Sequence, residues 1–83
     1  MKSLNLSYNK QGLIYFTCLD YNNQPEEMQD KILNLCMEVG GQYYDALFDM
    51  VTTGKGILEI SLKYYISENT AYRLKRNFYK KWY

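Results

Sequence analysis

Asn69, Arg73 and Arg76 recur at spacings of four and three residues, and Lys80 follows four residues later. On a helix advancing about 100° per residue, this spacing brings all four side chains to one side. A guanidinium fork can bridge O6 and N7 of guanine, and a carboxamide can pair with adenine, so Asn69, Arg73 and Arg76 are candidate base-reading residues. Hydroxyl, phenol, amide and ammonium groups suit the sugar–phosphate backbone instead. Thr53, Lys55, Thr70, Tyr72, Lys75, Asn77 and Lys80 are the candidates for that role. The plainer alternative treats the same residues as a solvated helix face.

Such a surface needs a rigid helix behind it, and the sequence supplies one. Ser67 can cap the amide of Thr70, and Ala71, Leu74, Phe78 and Trp82 fall within about 80° of one another on a helical wheel. That apolar side is expected to pack inward, leaving Asn69, Arg73, Arg76, Asn77 and Lys80 outside, with Thr70 and Tyr72 on the flanks. The preceding stretch, "ILEISLKYYISENTAYRLKRNF", resembles the helix-turn-helix of DNA-binding regulators. Ile60, Tyr64 and Ile66 match its apolar positions, Ser61 its small residue at the helix crossing, and Ser67 to Thr70 the start of its second helix. Tyr65 stands where the family has a glycine. A side chain at positive φ is costly, which predicts a differently shaped turn.

Upstream, "MKSLNLSYNK" alternates apolar and polar residues, as expected of a strand or an arm over residues 1 to 11. "GLIYFTCLDY" fits a helix with two apolar faces, Leu13 with Phe16 and Ile14 with Cys18 and Tyr21, although its β-branched and aromatic content also suits a strand. Residues 25 to 39 read as a helix opened by Pro25 at its first position, favoured by Glu26 and Glu27, and stopped by Gly40-Gly41. Met28, Ile32, Leu35, Cys36 and Val39 make its stripe. A second helix is expected from Gln42 to about Thr52, with Tyr44, Leu47, Phe48 and Val51 inward and Asp45 and Asp49 outward. "GKG" fails the phosphate-loop pattern, because Asp49 and Gly56 occupy positions that need glycine and a hydroxyl. It reads as the entry to the next helix, with Thr53 as its N-cap.

The expectation is therefore an all-α chain forming one domain over residues 1 to 83, with N-terminal helices over 12 to 52 and a helix-turn-helix over 53 to 83. Its 83 residues suffice for one modest core. A hydrophobic fraction of 47% with 23% charged residues is a globular composition. There is no histidine, which removes the usual general base and most catalytic metal sites. No enzymatic constellation, metal or cofactor is expected. Cys18 and Cys36 lack zinc-site spacing and read as buried thiols. No membrane-length apolar run or secretory segment is evident, and a cytoplasmic location is expected.

The near-neutral total hides a polarised chain. Residues 63 to 83 hold six cationic side chains against Glu68 alone, whereas residues 1 to 62 hold four lysines against eight acids. Such a dipole would aim the basic end at a polyanion, and six neutralised phosphates would give a log–log salt slope near about −5. An acidic helical segment before "YISENTAYRLKRNFYKKW" resembles small transcriptional regulators of phages and mobile elements, of the ArpU and RinA type, themselves similar to the promoter-reading region of sigma factors. That resemblance implies transcriptional control through double-stranded DNA. A homodimer through residues 13 to 21 or 25 to 39, or an RNA polymerase partner, would supply the missing interface area. The alternatives are an accessory DNA-binding role in recombination, or a protein-interaction module using Tyr43, Tyr65, Tyr72, Tyr79 and Tyr83.

Overall fold

A computed structural model describes residues 5–83 of the chain. Those residues form five α-helices and no strand: α1 Tyr8–Leu19, α2 Glu26–Gly40, α3 Tyr44–Thr53, α4 Ile57–Tyr64 and α5 Glu68–Lys81, with 3-10 turns at Tyr21–Asn23 and Gly41–Tyr43. The ambiguous segment is thus helical, and its helix begins earlier than expected. Ser7 caps α1 by accepting from Lys10 N at 3.1 Å, so residues 8 to 11 belong to the helix rather than to an arm. Leu6 packs against the core, and Met1 to Leu4 of the expected arm lie outside the described residues.

Helix α2 starts one residue after the sequence reading, with Pro25 in the N-cap position, and ends where Gly41 turns the chain at φ 54°. Its stripe is inward as expected: Ile32, Leu35 and Cys36 are buried, and Met28 and Val39 are partly buried against them. Helix α3 starts at Tyr44 because the 3-10 turn takes up residues 41 to 43. Ala46 and Met50 join Leu47 and Val51 in its buried face, while Tyr44 is exposed. Thr53 is the last residue of α3 and does not cap the next helix; Gly56 occupies that N-cap. Gly54 closes α3 at φ 73°, and a side chain there would also meet the Tyr15 hydroxyl at 2.9 Å, so both backbone and packing call for glycine.

Helix α3 lies at the centre and packs on α1, α2, α4 and α5. A single hydrophobic cluster takes Ile14 and Cys18 from α1, the α2 and α3 stripes, Ile60 from α4, and Ala71, Leu74, Phe78 and Tyr79 from α5, with Trp82 just beyond. Both cysteines are free and buried, and burial pushes each thiol up to about 12. Trp82 is sandwiched between Phe78, at 5.8 Å between ring centroids, and the Lys31 ammonium of α2, 4.2 Å from its ring centre. Among the described residues no helix is long and apolar enough to cross a membrane.

Candidate nucleic-acid interface

Two helices and a three-residue connection hold the candidate residues. Helix α4 ends at Tyr65, which adopts φ 56° and ψ 43°. A tyrosine here adopts the left-handed conformation that glycine favours. The turn is held by Ser61. Its carbonyl accepts from the amides of Tyr65 and of Ile66, the latter at 3.2 Å, and its hydroxyl donates to the Ile66 carbonyl at 2.5 Å. The pairing of Ile66 N–H with a carbonyl five residues back is the Schellman pattern. Ser61 thus acts through its hydroxyl as well as its small size. The Tyr65 ring is left 93% exposed.

Helix α5 begins at the expected cap. Ser67 Oγ accepts from Thr70 N at 3.0 Å and donates to Thr70 Oγ1 at 2.8 Å. Its inner face is closed: Ala71 and Phe78 are fully buried, and Leu74 and Trp82 nearly so. Tyr79 is buried with them, so it cannot belong to an exposed tyrosine patch, which retains Tyr65, Tyr72 and Tyr83 while Tyr43 is partly buried. Asn69, Arg73 and Lys80 are exposed on the outer side, and Arg76 and Asn77 are half-buried. At 100° per residue, Asn69, Arg73, Arg76 and Lys80 lie within about 60° of one another, with Thr70, Asn77 and Tyr72 to either side.

Other cations stand elsewhere. Lys75 is on the opposite flank of α5, its ammonium 5.9 Å from the Tyr79 ring centre and beside Tyr8, Gln11, Gly12, Tyr15 and Phe16 of α1. Lys81 pairs with Glu38 of α2 at 3.2 Å. Lys55 and Lys63 both pair with Asp49, at 3.1 and 2.7 Å, and the Tyr64 hydroxyl donates to the same carboxylate at 2.8 Å. Thr53 Oγ1 donates to the Asp49 carbonyl. Lys55 and Thr53 are therefore tied into the α3–α4 junction, apart from the α5 stripe.

Asp49 is the residue that periodicity misplaced. It was expected to face solvent, yet its carboxylate accepts from Lys55, Lys63 and Tyr64, and more distantly from Thr53, and ties α4 to α3. Burial opposes its charge, but the hydrogen bonds from Lys63, Tyr64 and Lys55 outweigh that and hold the carboxyl down at about 2, against an ordinary 3.8. Lys55, Lys63 and Tyr64 lie six, fourteen and fifteen residues along the chain, beyond any helical spacing. The only local hint was the pair of lysines that follow it.

The arrangement presents a narrow polar and cationic ridge on a helix whose other side is anchored, with a capped N-terminus beside it. Three groups can donate to phosphate or base acceptors along that ridge, Arg73, Arg76 and Lys80, and Asn69 can both donate and accept. Comparison with protein-family models, with curated proteins and with solved structures finds no match.

Proposed function

We propose that the chain binds double-stranded DNA, with α4, the Tyr65 turn and α5 acting as a helix-turn-helix and the outer ridge of α5 entering the major groove. Asn69, Arg73 and Arg76 read base edges, and Thr70, Tyr72, Asn77 and Lys80 contact phosphates. Regulation of transcription in a phage or mobile element is the setting that the sequence resemblance suggests. The observation that carries the reading is the sorting of α5: a closed apolar side and, opposite it, a stripe of two arginines, a lysine and an asparagine beside the Ser67 cap. The core decides where α5 sits, and the exposed side is left to carry polar chemistry.

Fluorescence anisotropy with duplex DNA over a salt series tests it. If Arg73, Arg76 and Lys80 each neutralise one phosphate, the log–log slope is roughly −3 at 0.9 per phosphate. A salt-independent signal rejects the reading. Selection from a random duplex pool then separates a palindromic, a single and an absent motif. One helix covers little DNA, so a second copy or RNA polymerase is expected to share the load.

A protein-interaction module is the competing reading, favoured by Leu58, Leu62 and Tyr65. Leu58 and Leu62 are exposed four residues apart on α4, and Tyr65 is exposed in the turn that follows. Capture of a partner that survives charge reversal at Arg73 and Arg76 would select it.

A further inference from the structure

Glu38 is misplaced by the rules of its own helix. It stands in the last turn of α2, at the negative end of the helix dipole, where a cation or a neutral side chain is favoured, and that turn holds no basic residue. Its side chain is 61% exposed, so the core does not require it either. What it touches is Lys81, whose ammonium donates to Glu38 Oε1 at 3.2 Å across forty-three residues of chain. Lys81, by contrast, suits the C-terminal end of α5 with or without a partner, because its charge complements the dipole there.

Lys81 also continues a row. Thr70, Asn77 and Lys81 are seven and four residues apart, and at 100° per residue they fall within about 40° of one another on one flank of the α5 ridge. Thr70 and Asn77 are the hydroxyl and the amide assigned above to phosphates. A cleft of about 570 Å³ opens at the end of that row, between α2 and α5, lined by Glu38, Val39, Asn77, Lys80 and Lys81. It combines two ammonium groups and an amide with one carboxylate, which is the donor set of an anion site partly filled by an acid of the chain itself.

We propose that Glu38 limits the affinity of this surface for nucleic acid, by holding Lys81 in competition with a backbone phosphate of the duplex. The inference rests on the DNA-binding reading and adds to it a control on binding strength. Separating the pair costs the fold little: both side chains are more than half exposed, and an ion pair of that kind is screened by water. The cost falls on binding instead, because a released carboxylate stays in the cleft beside the arriving phosphate and repels it. The contribution of Lys81 is thereby cancelled in the wild-type chain, and removing the charge of Glu38 restores it.

Fluorescence anisotropy of the full chain with a labelled duplex of mixed sequence, over a salt series, tests this in the wild type, Glu38→Gln, Lys81→Gln and the double variant. Glu38→Gln is expected to tighten binding roughly three- to tenfold at low salt and to steepen the log–log slope by about 0.9, the share of one further phosphate. Lys81→Gln alone should weaken binding by less than about twofold, and in its presence Glu38→Gln should no longer steepen the slope. Thermal melts of all four proteins should coincide, since no buried group is altered. A Glu38→Gln protein that binds no more tightly than the wild type, or a gain that persists in full when Lys81 is also replaced, would overturn the inference while leaving DNA binding intact. Absence of salt-dependent binding in all four would reject the DNA-binding reading, and this inference with it.

Discussion

Helices α5 and α1 flank the same core and solve opposite problems. Helix α5 is sorted: its inner side is apolar and closed, and its outer side carries amides and cations. Helix α1 is not, because Leu13 and Phe16 face outward as prominently as Ile14 and Cys18 face inward. The difference teaches that burial in the chain accounts for half of each helix, and the outer halves answer to different surroundings. A charged ridge is satisfied by water or by a polyanion, whereas the exposed Leu13 and Phe16 side chains keep apolar surface in water.

The contrast breaks most visibly if an arginine is placed on each helix in turn. Ala71→Arg forces a charge into a fully buried site where α5 meets the core, and should cost on the order of 4 kcal/mol in chemical denaturation. Leu13→Arg on the outer side of α1 should change monomer stability by no more than about 0.5 kcal/mol. Equal costs would mean that the buried side of α5 is misassigned. Reversing the ridge itself, with Arg73→Glu and Arg76→Glu together, should lower duplex affinity roughly 100-fold or more while leaving circular dichroism unchanged.

Smaller effects sharpen the comparison by testing what holds α5 in place through α4. Asp49→Ala leaves Lys55, Lys63 and Tyr64 without their shared acceptor, and urea denaturation should register a loss of about 1–3 kcal/mol. The pH dependence has a defined sign. The folded carboxyl titrates at about 2, below its ordinary 3.8, so its contribution is complete above pH 4 and is lost as the pH falls toward 2. The Asp49→Ala protein should lack that component of acid destabilisation. The smallest change is expected from Tyr65→Gly, which relieves a side chain held at φ 56° but gives the unfolded chain more freedom. Thermal melts should show a net gain of about 0.5–1 kcal/mol.

Much of the scaffold was legible because local rules decide it. Repeats of three and four residues identified the α2 stripe and the inner side of α5, and Ser67 announced the start of α5. Those same rules fail where a residue's partner is distant in sequence. Asp49 has the spacing of a solvent-facing residue in α3, and only the approach of α4 turns it inward. Tyr79 looked like rim because its phenol suggests exposure, yet it lies on the α1 side of α5 and is covered. The charge excess after residue 62 was visible, but its distribution was not. Lys63 and Lys81 meet acids from α3 and α2, leaving a narrower cationic ridge than the composition implied. The Tyr65 turn went the other way: a penalty of local conformation was outweighed by three hydrogen bonds centred on Ser61.

The sandwiching of Trp82 gives the molecule a built-in optical reporter. It is the sole indole in the chain, shielded by Phe78 and topped by the Lys31 ammonium. Its emission should be blue-shifted in the native protein and move to longer wavelength when the end of α5 detaches from α2. Because the indole sits on the inner side, a duplex arriving at the ridge should leave that emission unchanged, so one fluorescence channel can follow the docking of α5 while a labelled oligonucleotide follows binding.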